Sequence, residues 1–109
     1  MIVAANAGGV TEVTEKTAFD AVVAQGTVVV DFWAPWCKNC HRVAPVVTKL
    51  ATELTGVKFV KVNTAEAEEL SVELGVEALP TFLFYKDGKV VGDFKGSDAA
   101  KLEAAIRAL

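Results

Sequence analysis

The chain has 109 residues, 52% of them apolar, with 14 acidic and 11 basic side chains and a formal net charge of −3. That length suits one domain able to bury a core unaided, and the two cysteines are too few for a disulfide-dense secreted module. The charge balance offers no basic stripe for nucleic acid, and the apolar runs fall well short of the roughly 18 residues that span a membrane.

Residues 1–9 lack the basic segment and long apolar stretch of a secretory signal. They read as a loosely ordered or strand-forming lead into a single domain covering 1–109. A cytoplasmic location is expected, although an organellar chain trimmed of its transit peptide would read the same way. Residues 10–13 alternate weakly and predict a short strand. Thr14 offers a helix N-cap, and Phe19, Val22 and Val23 mark one face of a helix that stops near Gly26. Residues 28–33 form a β-branched and aromatic run broken only by Asp31, the pattern of a strand covered on both faces. Over residues 37–54, Val43, Val46, Val47, Leu50 and Leu54 recur at helical spacing. Pro45 lies inside that stripe and predicts a kink, since the His41 carbonyl loses its partner.

A strand follows over 57–62, and then a short helix over 66–74 with Ala67, Leu70 and Leu74 inward and Gly75 as its stop. Residues 81–86 and 89–94 are strands joined by Asp87-Gly88, a strong hairpin signal. Ser97 or Asp98 caps a last helix in which Leu102, Ala105, Ile106 and Leu109 share a face. The order is βαβαβαββα. Two helical crossovers call for parallel pairing and the hairpin adds an antiparallel edge, so an α/β fold with a mixed five-stranded sheet flanked by four helices is expected.

Chemistry concentrates at Trp36-Cys37-Lys38-Asn39-Cys40-His41. Cysteines three apart at a helix start come within disulfide reach, and the first meets the unpaired N–H groups and positive end of the helix, which favour a thiolate. Because the thiolate is the attacking species, Cys37 is the expected nucleophile, and the less exposed Cys40 the resolving thiol. Inert buried thiols are the plainest alternative. A zinc or iron–sulfur site lacks further ligands, since no second cysteine pair exists and His41 directly follows Cys40. Cys37-x-x-Cys40-His41 also matches the attachment motif of c-type haem, but the chain has no second histidine and only Met1 as a further axial candidate. Asp31 interrupts its apolar strand. A buried carboxylate without a partner has a raised pKa, which suits a proton acceptor near neutral pH; otherwise it is a satisfied core or edge carboxylate.

Asp31-Phe32-Trp33-Ala34-Pro35-Trp36-Cys37, then Cys40 and Pro45, and then Leu79-Pro80-Thr81 with Gly88 and Gly96, resemble the thioredoxin family over nearly the whole chain. The resemblance implies the thioredoxin fold and a protein-disulfide reductase with no cofactor beyond the Cys37–Cys40 disulfide. Disulfide-containing proteins would be its substrates and a thioredoxin-reductase-type protein its electron donor, and a monomer is expected. The same resemblance has Asp31 take the proton of Cys40 and places Lys61, otherwise an outward-facing strand lysine, beside that carboxylate. It makes Pro80 a cis proline, with the Leu79 backbone open to an extended substrate. Trp36 would shield Cys37 and form part of a docking surface, and Trp33 is expected in the core.

The chain departs from the family pattern between the cysteines, where Lys38-Asn39 stands in place of Gly-Pro. Lys38 adds a positive charge near Cys37, and Asn39 restores a backbone N–H that can point at sulfur. Both favour the thiolate and predict a more oxidising disulfide, so an oxidase or isomerase is the alternative reading. A non-catalytic scaffold or an iron–sulfur-binding domain of the same fold is another. His41 replaces the family's usual lysine or arginine, either as an exposed helix residue or as a pH-dependent tuner of the thiols. Five glutamates lie within 66–77 with no basic residue between Lys61 and Lys86, as a solvated face or as an acidic rim that favours basic partners.

Overall fold

The computed structural model describes residues 3–5 and 9–109, with side chains from Gly9 onward. The expected lead segment therefore lies mostly outside the described residues. Within it, Val3–Ala5 forms strand β1, antiparallel to β2 (Val10–Val13). β2 is the first of the five expected strands, and the other four follow, with β3 at Thr27–Trp33, β4 at Val57–Asn63, β5 at Thr81–Lys86 and β6 at Lys89–Lys95. With β1 added at the edge, the sheet order is β1-β2-β4-β3-β5-β6. The β2–β4 and β3–β4 pairs are parallel and the β3–β5 and β5–β6 pairs antiparallel, so the sheet is mixed.

Helices α1 (Lys16–Val23), α2 (Lys38–Glu53), α3 (Glu68–Glu73) and α4 (Ala99–Arg107) cover its two faces. Alternation along β3 decides which face each residue serves. Val28, Val30 and Phe32 pack with Phe19 of α1 and Leu70 of α3. Val29 packs with Val43, Val47 and Leu50 of α2, Leu102 and Ile106 of α4, and Phe59, Phe82 and Phe84 of the sheet. Asp31 and Trp33 share the Val29 side, beneath α2. The apolar residues on either side of Asp31 in β3 thus reflect burial from both sides.

Several boundaries differ from expectation for local reasons. Glu15, not Thr14, takes the N-cap position of α1. The third helix starts at Glu68 rather than at 66 because Asn63 organises the preceding turn. Its Oδ1 accepts from the Ala65 N–H at 3.0 Å, its Nδ2 donates to Glu66 Oε1 at 3.2 Å, and its carbonyl accepts from the Glu66 and Ala67 N–H groups. Asp98, not Ser97, caps α4 through Oδ1 and the Lys101 N–H at 3.1 Å. Leu109 falls beyond that helix and is exposed, so it does not join Leu102 and Ile106 inside. Asp87 and Gly88 both have positive φ, 50° and 85°, as the two-residue hairpin turn requires.

Candidate active site

β3 runs out at Trp33, and the chain turns through Ala34, Pro35 and Trp36 into α2. Cys37 is the N-cap residue of that helix: its Sγ accepts the Cys40 N–H at 3.1 Å. An N-cap side chain reaches the N–H groups two or three positions on, so the donor to this sulfur is Cys40 at the third position. Asn39 restores an N–H at the second position, next to this donor. Cys37 and Cys40 are joined as a disulfide with Cα atoms 5.3 Å apart. Cys40 is buried and Cys37 half-buried, so an incoming sulfur reaches Cys37 first.

Cys40 belongs to the inward stripe of α2 together with Val43, Val47 and Leu50. Because α2 returns over the sheet from the end of β3, this stripe brings Cys40 toward that strand's C-terminal half, where Asp31 faces the same layer. Asp31 is 3% exposed and its Oδ1 has no hydrogen-bond partner. Burial raises its pKa from 3.8 to about 7, against the opposing charge of Lys61. Lys61 lies in register with Asp31 across β3 and β4, and Glu12 of β2 lies in register with Lys61 on its other side. The ammonium of Lys61, however, stands over the Trp33 ring, 4.3 Å from its centroid.

Trp33 is partly exposed rather than a core residue, and belongs to neither apolar cluster. The reason is its place at the end of β3, where the sheet gives way to the loop and the Lys61 ammonium covers the ring face. His41 meets that ring edge-on at 6.1 Å between centroids, and its Nε2 lies 2.8 Å from the Pro35 carbonyl oxygen. A carbonyl only accepts, so Nε2 carries the hydrogen. His41 therefore ties the first turn of α2 to the loop ahead of Cys37.

Trp36 is 71% exposed beside Cys37. The Leu79–Pro80 bond is cis. Thr81 lies opposite Phe32 in the β3–β5 pairing, which brings Leu79 and Pro80 to the sheet end from which Cys37 emerges. Pro80 is buried and Leu79 half-buried. Lys38 and Asn39 are exposed, and so are Glu66, Glu68, Glu69, Glu73 and Glu77. Among the described residues no group of three or more His, Cys, Asp or Glu side chains is placed to hold a metal ion, and no helix is long and apolar enough to cross a membrane.

The thioredoxin family model matches residues 10–108. Thioredoxin-1 of Schizosaccharomyces pombe is 37% identical over 100 residues, covering 91% of this chain and 97% of its own. Mitochondrial thioredoxin 3 of Saccharomyces cerevisiae, solved in its oxidised form, superposes with a TM-score of 0.85 at 34% identity and covers 90% of this chain and 93% of its own. A thioredoxin f2 solved in complex with ferredoxin:thioredoxin reductase superposes at 0.82 with 32% identity, over 94% of this chain and 96% of its own.

Proposed function

This chain belongs to the thioredoxin family and is a thiol–disulfide oxidoreductase of the protein-disulfide reductase type, and from that premise we propose how its residues divide the reaction. The carrying observation is the position of Cys37, half-exposed at the N-terminus of α2 with its sulfur facing a backbone N–H. In the reduced protein that setting favours the Cys37 thiolate. The thiolate attacks one sulfur of a substrate disulfide, forming a mixed disulfide and releasing the other sulfur as a thiolate. Asp31 takes the proton of Cys40, whose sulfur then attacks Cys37. The Cys37–Cys40 bond forms, the mixed disulfide breaks, and the substrate leaves with its second thiol reduced. Two electrons have moved from the protein to the substrate.

Leu79 offers its backbone to an extended segment of the substrate, and Trp36 presents an exposed apolar surface beside the sulfur. Substrates are disulfide-bearing proteins, and a reductase returns the electrons; a related thioredoxin has been solved with a ferredoxin-linked enzyme of that kind. The cysteine pair is the only redox carrier in this reading, the working unit is a monomer, and the location is the cytoplasm or an organellar interior. Reduction of insulin disulfides with dithiothreitol as electron source tests it: turnover is expected, and none above the uncatalysed rate would refute it.

Lys38 and Asn39 set the poise. A positive charge and an additional N–H at the helix start both stabilise the reduced, thiolate form, so the potential should be less negative than the roughly −270 mV of ordinary thioredoxin. Equilibration against a glutathione buffer measures it. The double replacement Lys38→Gly with Asn39→Pro should return the potential toward the family value. A parent potential at or below that value would contradict the assignment.

A further inference from the structure

Trp33 closes β3 on the same face as Asp31, two residues further along. Its Nε1 is buried without a hydrogen-bond partner, whereas buried indoles usually find an acceptor for that hydrogen. Hydrogen bonding therefore does not account for its placement. The ring meets Lys61 Nζ over its face and, edge-on, the His41 ring of the first turn of α2.

Lys61 is the register partner of Asp31 on a neighbouring strand, with the strands about 4.8 Å apart. The carboxylate and the indole face are thus rival seats for one ammonium. In this structure it occupies the indole. No ion pair joins Lys61 to Asp31 among the described residues, and Asp31 Oδ1 remains without a partner. A lysine seated on the carboxylate would hold it ionised and weaken it as a base.

We propose that Trp33 is a positioning residue for proton transfer: its indole face parks the Lys61 ammonium away from Asp31, which leaves the carboxylate unpaired and able to accept a proton. This rests on the reading of Asp31 as the acceptor for Cys40. The other groups around Asp31 are few. Glu12 of β2 lies beyond Lys61 in register, α2 contributes Cys37, Cys40 and His41, and β5 places apolar Phe82 opposite Asp31. On the same face α4 presents apolar Leu102 and Ile106.

The test is a carboxyl 13C titration of Asp31 by NMR in the oxidised protein, where neither cysteine titrates. Four forms are compared: the parent, Trp33→Leu, Lys61→Met and the double variant. Trp33→Leu should lower the Asp31 midpoint by about one pH unit or more, as the freed ammonium pairs with the carboxylate. Lys61→Met should raise it. With Lys61 already replaced, Trp33→Leu should leave the midpoint where Lys61→Met put it. An unchanged or raised midpoint in the single Trp33 variant overturns the proposal. So does an equal fall in both backgrounds, which would mean that water entry, not the lysine, is responsible. Should Trp33→Leu fail to fold, Trp33→Met enters the same cycle. The acceptor role itself fails separately, if Asp31→Asn reduces substrate at the parent rate, and that outcome does not depend on the titration.

Discussion

Replacing Asp31 by Asn should slow disulfide reduction at neutral pH by about 100-fold, the lower end of what a positioned general base contributes, while making the protein more stable. The two effects share one cause. Asp31 is buried, its Oδ1 lacks a partner, and its pKa is raised from 3.8 to about 7. The raised value lets the carboxylate take a proton from a thiol near pH 7, and the same burial disfavours its charged form. Well below pH 3.8 the carboxyl is protonated in both folded and unfolded chains and contributes no pH-dependent stability. As pH rises from 3.8 toward 7 the unfolded chain releases a proton that the folded chain retains, so stability falls through this window and then levels off. At about 1.4 kcal/mol per unit, the full shift bounds the cost at about 4 kcal/mol. The Asp31→Asn variant leaves an amide buried in its place, so the net gain should be smaller. Denaturant unfolding followed across the pH range should show the parent losing stability between about pH 4 and about pH 7 while the variant does not. A constant offset between the two would mean that the carboxyl does not titrate in this range. The rate should lose its dependence on a group with a midpoint near 7.

The two cysteines should fail in different ways. Cys37→Ser should reduce turnover by roughly a thousandfold or more, because no other thiol stands at the helix start to open the substrate disulfide. Cys40→Ser should abolish turnover as completely but leave the first attack intact, so that the protein accumulates as a mixed disulfide with its substrate. Rapid-quench kinetics separates the two. A Cys40→Ser protein that releases substrate at the parent rate would remove Cys40 from the resolving role, and a Cys37→Ser protein that forms the adduct as fast as the parent would remove Cys37 from the first.

Much of this architecture was legible from local chemistry. The β-branched and aromatic residues on both sides of Asp31 announced a strand covered on both faces, Asp87-Gly88 announced the hairpin, and the spacing of Val43, Val47 and Leu50 announced the inward face of α2. Cys37 and Cys40 were readable because their place at a helix start is itself sequence-local. What escaped depended on contacts across the fold. The Asn63 side chain captures the turn before α3, and no periodicity reveals that capture. Val3–Ala5 pairs with β2 through backbone groups, and three small apolar residues carry no alternation to signal it. Trp33 has the composition of a core residue, but its neighbours are Lys61 from β4 and His41 from α2, and only the fold brings the two rings and the ammonium together. The register of Asp31 with Lys61 is likewise a property of the parallel pairing, invisible along the chain.

Where the first covalent bond forms is the most direct test of the division between the two thiols. Reduced protein mixed with excess disulfide substrate, acid-quenched within milliseconds and mapped by peptide mass, should carry the substrate on Cys37, with Cys40 free until the internal disulfide closes. An early adduct on Cys40 would contradict it.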